Sequence, residues 1–175
     1  MFAKTMVFGG CVLAAAGMIS PALAGEFYIG EPVMKEGMQL SPAYLTGIEM
    51  SGVAPGMSTA KDAIHVEIDV HAGDKEAHGF PPDAWIPYLS ILTTVAKTDG
   101  SYSETKPLAP MTAGDGPHYA NNFAMNGPGK YKATYVIEPP SVNGFLHHVD
   151  KATGVPDWWK PITVSWTFDY PAKHS

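Results

Sequence analysis

Residues 64–72 read Ile-His-Val-Glu-Ile-Asp-Val-His-Ala, and every polar residue in the run is of a type that binds metal ions. Ile64, Val66, Ile68, Val70 and Ala72 alternate with His65, Glu67, Asp69 and His71. This is the pattern of a β-strand with one buried face. The other face then carries two imidazoles and two carboxylates, where an ordinary solvated face would carry Lys, Thr, Ser or Gln. Imidazole nitrogen and carboxylate oxygen are both transition-metal donors. Metal binding is the first reading of the run; an acidic edge strand with incidental histidines is the alternative.

The strand cannot build a site alone. Same-face neighbours lie roughly 7 Å apart along a strand, against metal–ligand bonds of about 2.0–2.3 Å. His65 and His71 are separated by roughly 20 Å and cannot share an ion. The strand therefore supplies one or two ligands, and other segments must supply the rest. Met111-Thr112-Ala113-Gly114-Asp115-Gly116-Pro117-His118 brings a thioether and an imidazole to the two sides of a glycine- and proline-shaped turn. Gly144-Phe145-Leu146-His147-His148-Val149-Asp150 offers a histidine pair, of which an extended backbone turns one inward. His71 is expected to lie outside the main site. His78, in a polar loop, and His174, in the tail, read as solvated.

The elements that must position these residues are short. Strands are expected at Glu26–Val33 (interrupted at Gly30 and Pro32), Tyr44–Met50, Ile64–Ala72, Trp85–Ala96 with Pro87 at an edge or bulge, Ser103–Pro110, Lys130–Glu138 and Ile162–Tyr170. Asp99-Gly100 marks a hairpin turn. Residues 111–126 read as a glycine- and asparagine-rich connection, and residues 141–160 as a long loop holding Trp158-Trp159. No stretch keeps a 3.6-residue period. Sixteen prolines and eighteen glycines cut the chain into pieces of this size. The fold class that follows is all-β, a single immunoglobulin-like β-sandwich.

Residues 1–24 are read as a signal peptide: Lys4, then an apolar run over Val7–Ile19, then Ala22-Leu23-Ala24 as a cleavage site. The apolar run is too short to span a bilayer. The β-sandwich metal-binding domain is then Gly25–Ser175, in the periplasm. Cys11, the only cysteine, would leave with the signal; Phe8-Gly9-Gly10 before it is a poor lipoprotein motif. Without a thiol there is no thiolate enzyme, zinc finger or blue-copper centre. The chain has no arginine, and acids outnumber lysines to a net charge of −6. That balance excludes a nucleic-acid partner and suits attraction of cations.

His65-x-Glu67-x-Asp69-x-His71-Ala72, Trp85-Ile86-Pro87-Tyr88-Leu89, Met111-x-x-x-Asp115-Gly116-Pro117-His118-Tyr119, Tyr135-x-Ile137-Glu138-Pro139-Pro140, His148-x-Asp150 and Trp158-Trp159-Lys160-Pro161 occur in this order. Together they resemble the FetP-like family, periplasmic proteins associated with high-affinity iron-transport permeases. The resemblance implies an immunoglobulin-like sandwich that forms a homodimer. It implies copper held by three histidines and a methionine, with a glutamate able to join, and iron handled at or beside that site. Carried over by position, the ligands are His65, Glu67, Met111, His118 and His148. His148 is preferred to His147 because its spacing after His118 fits the family, and the family site lies near the dimer interface, so one ligand could come from the partner chain. Asp69 is read as an orienter or a ligand of a second site. The function implied is a copper-containing, iron-handling protein that assists an inner-membrane iron permease. The alternatives are a periplasmic copper or iron redox enzyme and a plain interaction module. The donor chemistry agrees: a thioether shifts preference toward copper, Cu(I) above all, and a carboxylate toward iron.

Overall fold

The protein is described here from a computed structural model covering residues 25–172. The expected signal peptide, with Cys11, and His174 lie outside the described residues. Ten strands and one 3-10 turn make up the regular structure of the described residues. The strands are β1 (Gly25–Tyr28), β2 (Val33–Lys35), β3 (Met38–Thr46), β4 (Ala63–Ala72), β5 (Ser90–Lys97), β6 (Ser103–Pro107), β7 (Ala109–Ala113), β8 (Gly116–Ala124), β9 (Gly129–Glu138) and β10 (Ile162–Tyr170). They form two antiparallel sheets, one in the order β1-β3-β4-β8-β7 with β2 on β3, the other β10-β9-β5-β6. The all-β sandwich expected from the sequence is the fold.

The core is the interface of the two sheets. Ile64, Val66, Ile68 and Val70 of β4 are fully buried, as are Tyr131, Tyr135 and Ile137 of β9. Each such side chain contributes on the order of 1.5–3 kcal/mol by leaving water. Tyr135 Oη donates to the Glu67 carbonyl at 3.2 Å, a bond that crosses the core directly beneath the polar face of β4.

Five boundaries differ from the expectation. The strand expected over Glu26–Val33 is β1, which ends at Tyr28, and Val33 instead opens β2. The strand expected over Tyr44–Met50 runs instead over Met38–Thr46 and stops at Gly47, whose φ of +72° takes the chain out of the sheet. Pro42 masks this strand in the sequence. The strand expected from Trp85 begins only at Ser90. Pro87 has no N–H to give and Tyr88 sits at φ +62°, so Trp85–Leu89 crosses the edge with a single bridge to His71. The segment expected over Ser103–Pro110 is two strands in different sheets, split at Leu108, whose N–H stays bonded to Ile91 O at 2.8 Å. The expected connection over 111–126 is the β7–β8 hairpin. This last difference matters most for the site, because β8 is the strand that lies beside β4. With β3 on its other side, β4 is an interior strand, so the edge-strand alternative fails.

Candidate metal centre

The site is assembled on three adjacent strands of the larger sheet. In β4, His65 and Glu67 point away from the core. In β8, Asn122 stands opposite His65 and Ala120 opposite Glu67, so His118, two residues from Ala120, shares their face. In β7, Met111 stands directly opposite His118. Directly opposed residues on antiparallel strands project to the same side with Cβ atoms about 4.5–5.5 Å apart. The β7–β8 pairing therefore brings the thioether beside the imidazole, as the turn residues suggested.

That outer face is not open to solvent. His65, Glu67 and His118 are all buried. The run leaving β3 covers them, and a cavity of about 370 Å³ remains. Its lining includes His65, Glu67, Met111 and His118, with Asp115 from the β7–β8 turn and Glu49 and Met50 from the covering run. Two neighbouring residues of β8 tie the covering run down: Asn121 Nδ2 donates to Pro55 O at 3.0 Å, Ser58 N donates to Asn122 O at 3.2 Å, and Asn122 Nδ2 donates to Ser58 O at 3.3 Å. The Asn122 carbonyl also takes a bond from Lys106 Nζ at 2.7 Å.

Asn122 has a second task. Its Oδ1 lies 2.7 Å from His65 Nδ1. The Asn122 amide nitrogen is already directed at Ser58, so Oδ1 is the acceptor and His65 Nδ1–H the donor. This fixes the tautomer and leaves the Nε2 lone pair facing the cavity, the arrangement that metal-ligating histidines need. Asn122 was missed in the sequence, where Asn121-Asn122 reads as part of a loop; only the pairing of β4 with β8 reveals it.

The electrostatics suit a site that waits for a cation. Glu67 Oε2 lies 3.5 Å from His118 Nε2 and 3.9 Å from His65 Nε2, and the rings of the two histidines stand edge to face at 5.8 Å. These separations exceed hydrogen-bond length. One donor atom from each of the three residues falls within 4.8 Å of the others. An ion with bonds of about 2.0–2.3 Å to each donor bridges such gaps after small side-chain shifts. Burial holds the His65 imidazole below its ordinary pKa; the Asn122 bond opposes this and the nearby His118 adds to it. Burial pushes the Glu67 carboxyl up to about 8, with Asp69, Glu26 and Asp115 adding repulsion. At neutral pH the cavity thus holds a neutral His65 and a mostly protonated Glu67. A cation bound by Glu67 would take the place of that proton. Two imidazoles, a thioether and a carboxylate suit copper, and the carboxylate also accommodates iron.

The remaining candidates lie elsewhere. His71 lines a separate cleft with Glu26, Tyr28, Asp69 and Asp115, outside the main site as expected. Burial raises the Asp69 carboxyl above its usual range. His148 is not at the cavity of its own chain: its side chain is 74% exposed, and Nδ1 meets Thr153 Oγ1 at 2.8 Å. His147 rests edge-on against Trp158 at 5.6 Å. His78, expected in solvent, has a side chain only 8% exposed. It is stacked on Trp158, a residue eighty positions away that local sequence could not connect to it.

Residues 23–172 match a family described as Fe2+ transport protein. FetP of uropathogenic E. coli strain F11 has a crystal structure similar to this one, with 44% identity and a TM-score of 0.77 over 83% of this chain and 96% of that one. The copper-reconstituted P19 protein of Campylobacter jejuni is 38% identical, with a TM-score of 0.78 over 86% of this chain and 99% of its own. The UPF0423 protein BAB2_0840 of Brucella abortus is 40% identical over 153 residues, 85% of this chain and 84% of that protein.

Proposed function

This chain belongs to the Fe2+ transport protein family, and from that membership and its donor set we propose that it is a copper-containing, iron-handling periplasmic protein assisting uptake by an inner-membrane iron permease. The observation that carries the reading is the convergence of His65, Glu67, Met111 and His118 on one buried cavity from three strands. Copper is the resident ion, held by His65, His118 and Met111. Iron is the cargo, and Glu67 is the ligand that comes and goes with it. Because Glu67 must lose a proton before it ligates, its participation releases that proton and strengthens as pH rises.

His148 completes the set from a second copy of the chain. It stands exposed on a loop between Leu146 and Val149, which are 88% and 79% exposed. Two neighbouring apolar side chains in water favour a covering surface, and a homodimer that buries them carries each His148 toward its partner's cavity. Residues 1–24 are the export signal, removed to leave Gly25–Ser175.

Copper titration of His65→Ala, Met111→Ala, His118→Ala and His148→Ala, with dimerisation followed in parallel, tests the assignment. Each variant is expected to bind copper more weakly, and four unchanged titrations reject it. A redox role is the second reading, because the thioether favours Cu(I) while the imidazoles accept either valence. Sustained oxygen consumption by copper-loaded protein with Fe(II) supports that role; a single stoichiometric event supports the carrier.

A further inference from the structure

The loop that presents His148 runs from residue 139 to residue 161 with one short turn, Pro140–Asn143, at its start. A run of this length without strands or helices is uncommon in a compact domain unless something holds it in place for a purpose. Its tip is locally tied. The Asp150 carboxylate accepts the N–H groups of Ala152 and Thr153 and the hydroxyl of Thr153, and Val155 N donates to His148 O at 2.9 Å. These bonds shape the tip but do not attach it to the sandwich.

The rising side of the loop is held by Asn143 Nδ2, which donates to Tyr88 O at 2.8 Å, and by Phe145 against Phe80 and Tyr88; the returning side is held at Asp157 and Trp158. The side chain of Glu76 is 1% exposed, an extreme for a carboxylate. It is satisfied by the N–H of His78 at 2.8 Å, the N–H of Phe80 at 3.1 Å and His78 Nδ1 at 2.7 Å. The other ring nitrogen of His78, Nε2, lies 3.3 Å from the carbonyl oxygen of Asp157. Each ring nitrogen of His78 therefore faces an oxygen, one of a carboxylate and one of a backbone carbonyl. The ring lies flat on Trp158, with centroids 4.6 Å apart and planes within 9°. Trp158 in turn supports His147 and Phe145 from the rising side of the loop. The path from the sandwich to the exposed imidazole is short: Glu76, His78, Asp157, then Val155, which grips His148.

We propose that Glu76 and His78 form a clamp that positions His148 for its metal: His78 is a positioning residue whose two hydrogen bonds fix the base of the loop. The clamp rests on the reading that His148 ligates copper across a dimer. It adds that the reach of His148 is set by a buried glutamate–histidine contact that touches neither the metal nor any of the cavity's ligands.

The test is a double-mutant cycle on copper-loaded full-length protein, reading copper affinity and the nitrogen hyperfine pattern of Cu(II) by electron paramagnetic resonance. His148→Ala is expected to remove one imidazole nitrogen from the pattern. His78→Ala is expected to remove the same nitrogen and to weaken copper binding about tenfold, the lower end for loss of a ligand's supporting contact. His78→Ala with His148→Ala is then no weaker than His148→Ala alone, whereas His78→Ala and His118→Ala lose affinity additively. His78→Phe keeps a ring against Trp158 but neither hydrogen bond, and serves as the variant of nearer native stability; it is expected to lose the same nitrogen. Retention of the wild-type pattern and affinity in both His78 variants, while His148→Ala changes them, overturns the clamp. No change in His148→Ala itself overturns the dimeric ligand and the clamp with it.

Discussion

Glu67 and Glu76 are both buried carboxylates beside imidazole rings, and their surroundings are opposite. Glu76 takes two backbone N–H groups and one ring N–H at 2.7–3.1 Å. Glu67 faces two imidazoles at 3.5 and 3.9 Å, too far to bond to either. The first carboxylate is a finished structural group: each lone pair that matters already has a donor. The second is unfinished, and on the proposed reading its missing partner is a cation. Burial alone therefore does not tell a structural acid from a functional one; the number of donors that come with it does.

The widest gap between the two should appear in the stability of metal-free protein. Glu76→Ala leaves the N–H groups of His78 and Phe80 and the His78 ring without their acceptor. At about 1–3 kcal/mol for each buried unsatisfied donor, denaturant unfolding should show a loss of about 3 kcal/mol or more. Glu67→Gln removes an acid that burial already disfavours, and the same measurement should show no loss or a small gain. Equal losses would erase the distinction.

A smaller effect separates them by pH. The folded Glu67 carboxyl sits near 8 against 4.5 for the ordinary group, so between those values the folded state holds a proton that the unfolded state has released. Stability of the metal-free protein then falls as pH rises through that window. His65, lowered by burial, works the other way, but only below its ordinary value of 6.5. Between pH 6.5 and 8 Glu67 acts alone, and melting curves should show a loss of about 1–2 kcal/mol. Glu67→Gln should flatten this slope, and saturating copper should reverse its sign if Glu67 ligates.

The smallest effect concerns orientation. Asn122→Ala frees His65 to take the wrong tautomer, and copper affinity should drop about tenfold, while His65→Ala should exceed the roughly 100-fold upper end of such losses. Isothermal titration of the two variants checks the ranking; an Asn122→Ala protein that binds as well as wild type would mean the tautomer needs no holding.

The sequence carried β4 plainly because its inward face is uniformly apolar, and alternation survives only when the two faces differ in kind. It hid β8 for the complementary reason. Both faces of β8 are covered, so Asn121 and Asn122 are not surface residues: Asn121 Nδ2 donates to Pro55 O and Pro107 O at 3.0 and 2.7 Å. Buried amides and turn amides look alike in one dimension. His65, Glu67, Met111 and His118 could be named by type and spacing and by family resemblance, and the turn brought Met111 to His118, but the meeting of that pair with His65 and Glu67 depended on the β4–β8 register between strands far apart in the chain. His78 was misjudged because the partner that removes it from water, Trp158, is brought to it by the chain's return over the sheet edge.

Leu108 is the only residue between β6 in one sheet and β7 in the other, and its bond to Ile91 pins that step. The strand bearing Met111 is therefore moored to the opposite layer and cannot swing away from the sandwich without unseating it. The opposite wall, the run from Gly47 onward, is roped at Pro55 and Ser58 and carries no strand of its own. On the proposed reading, loading and discharge share that one doorway, and the sulfur forms its fixed jamb.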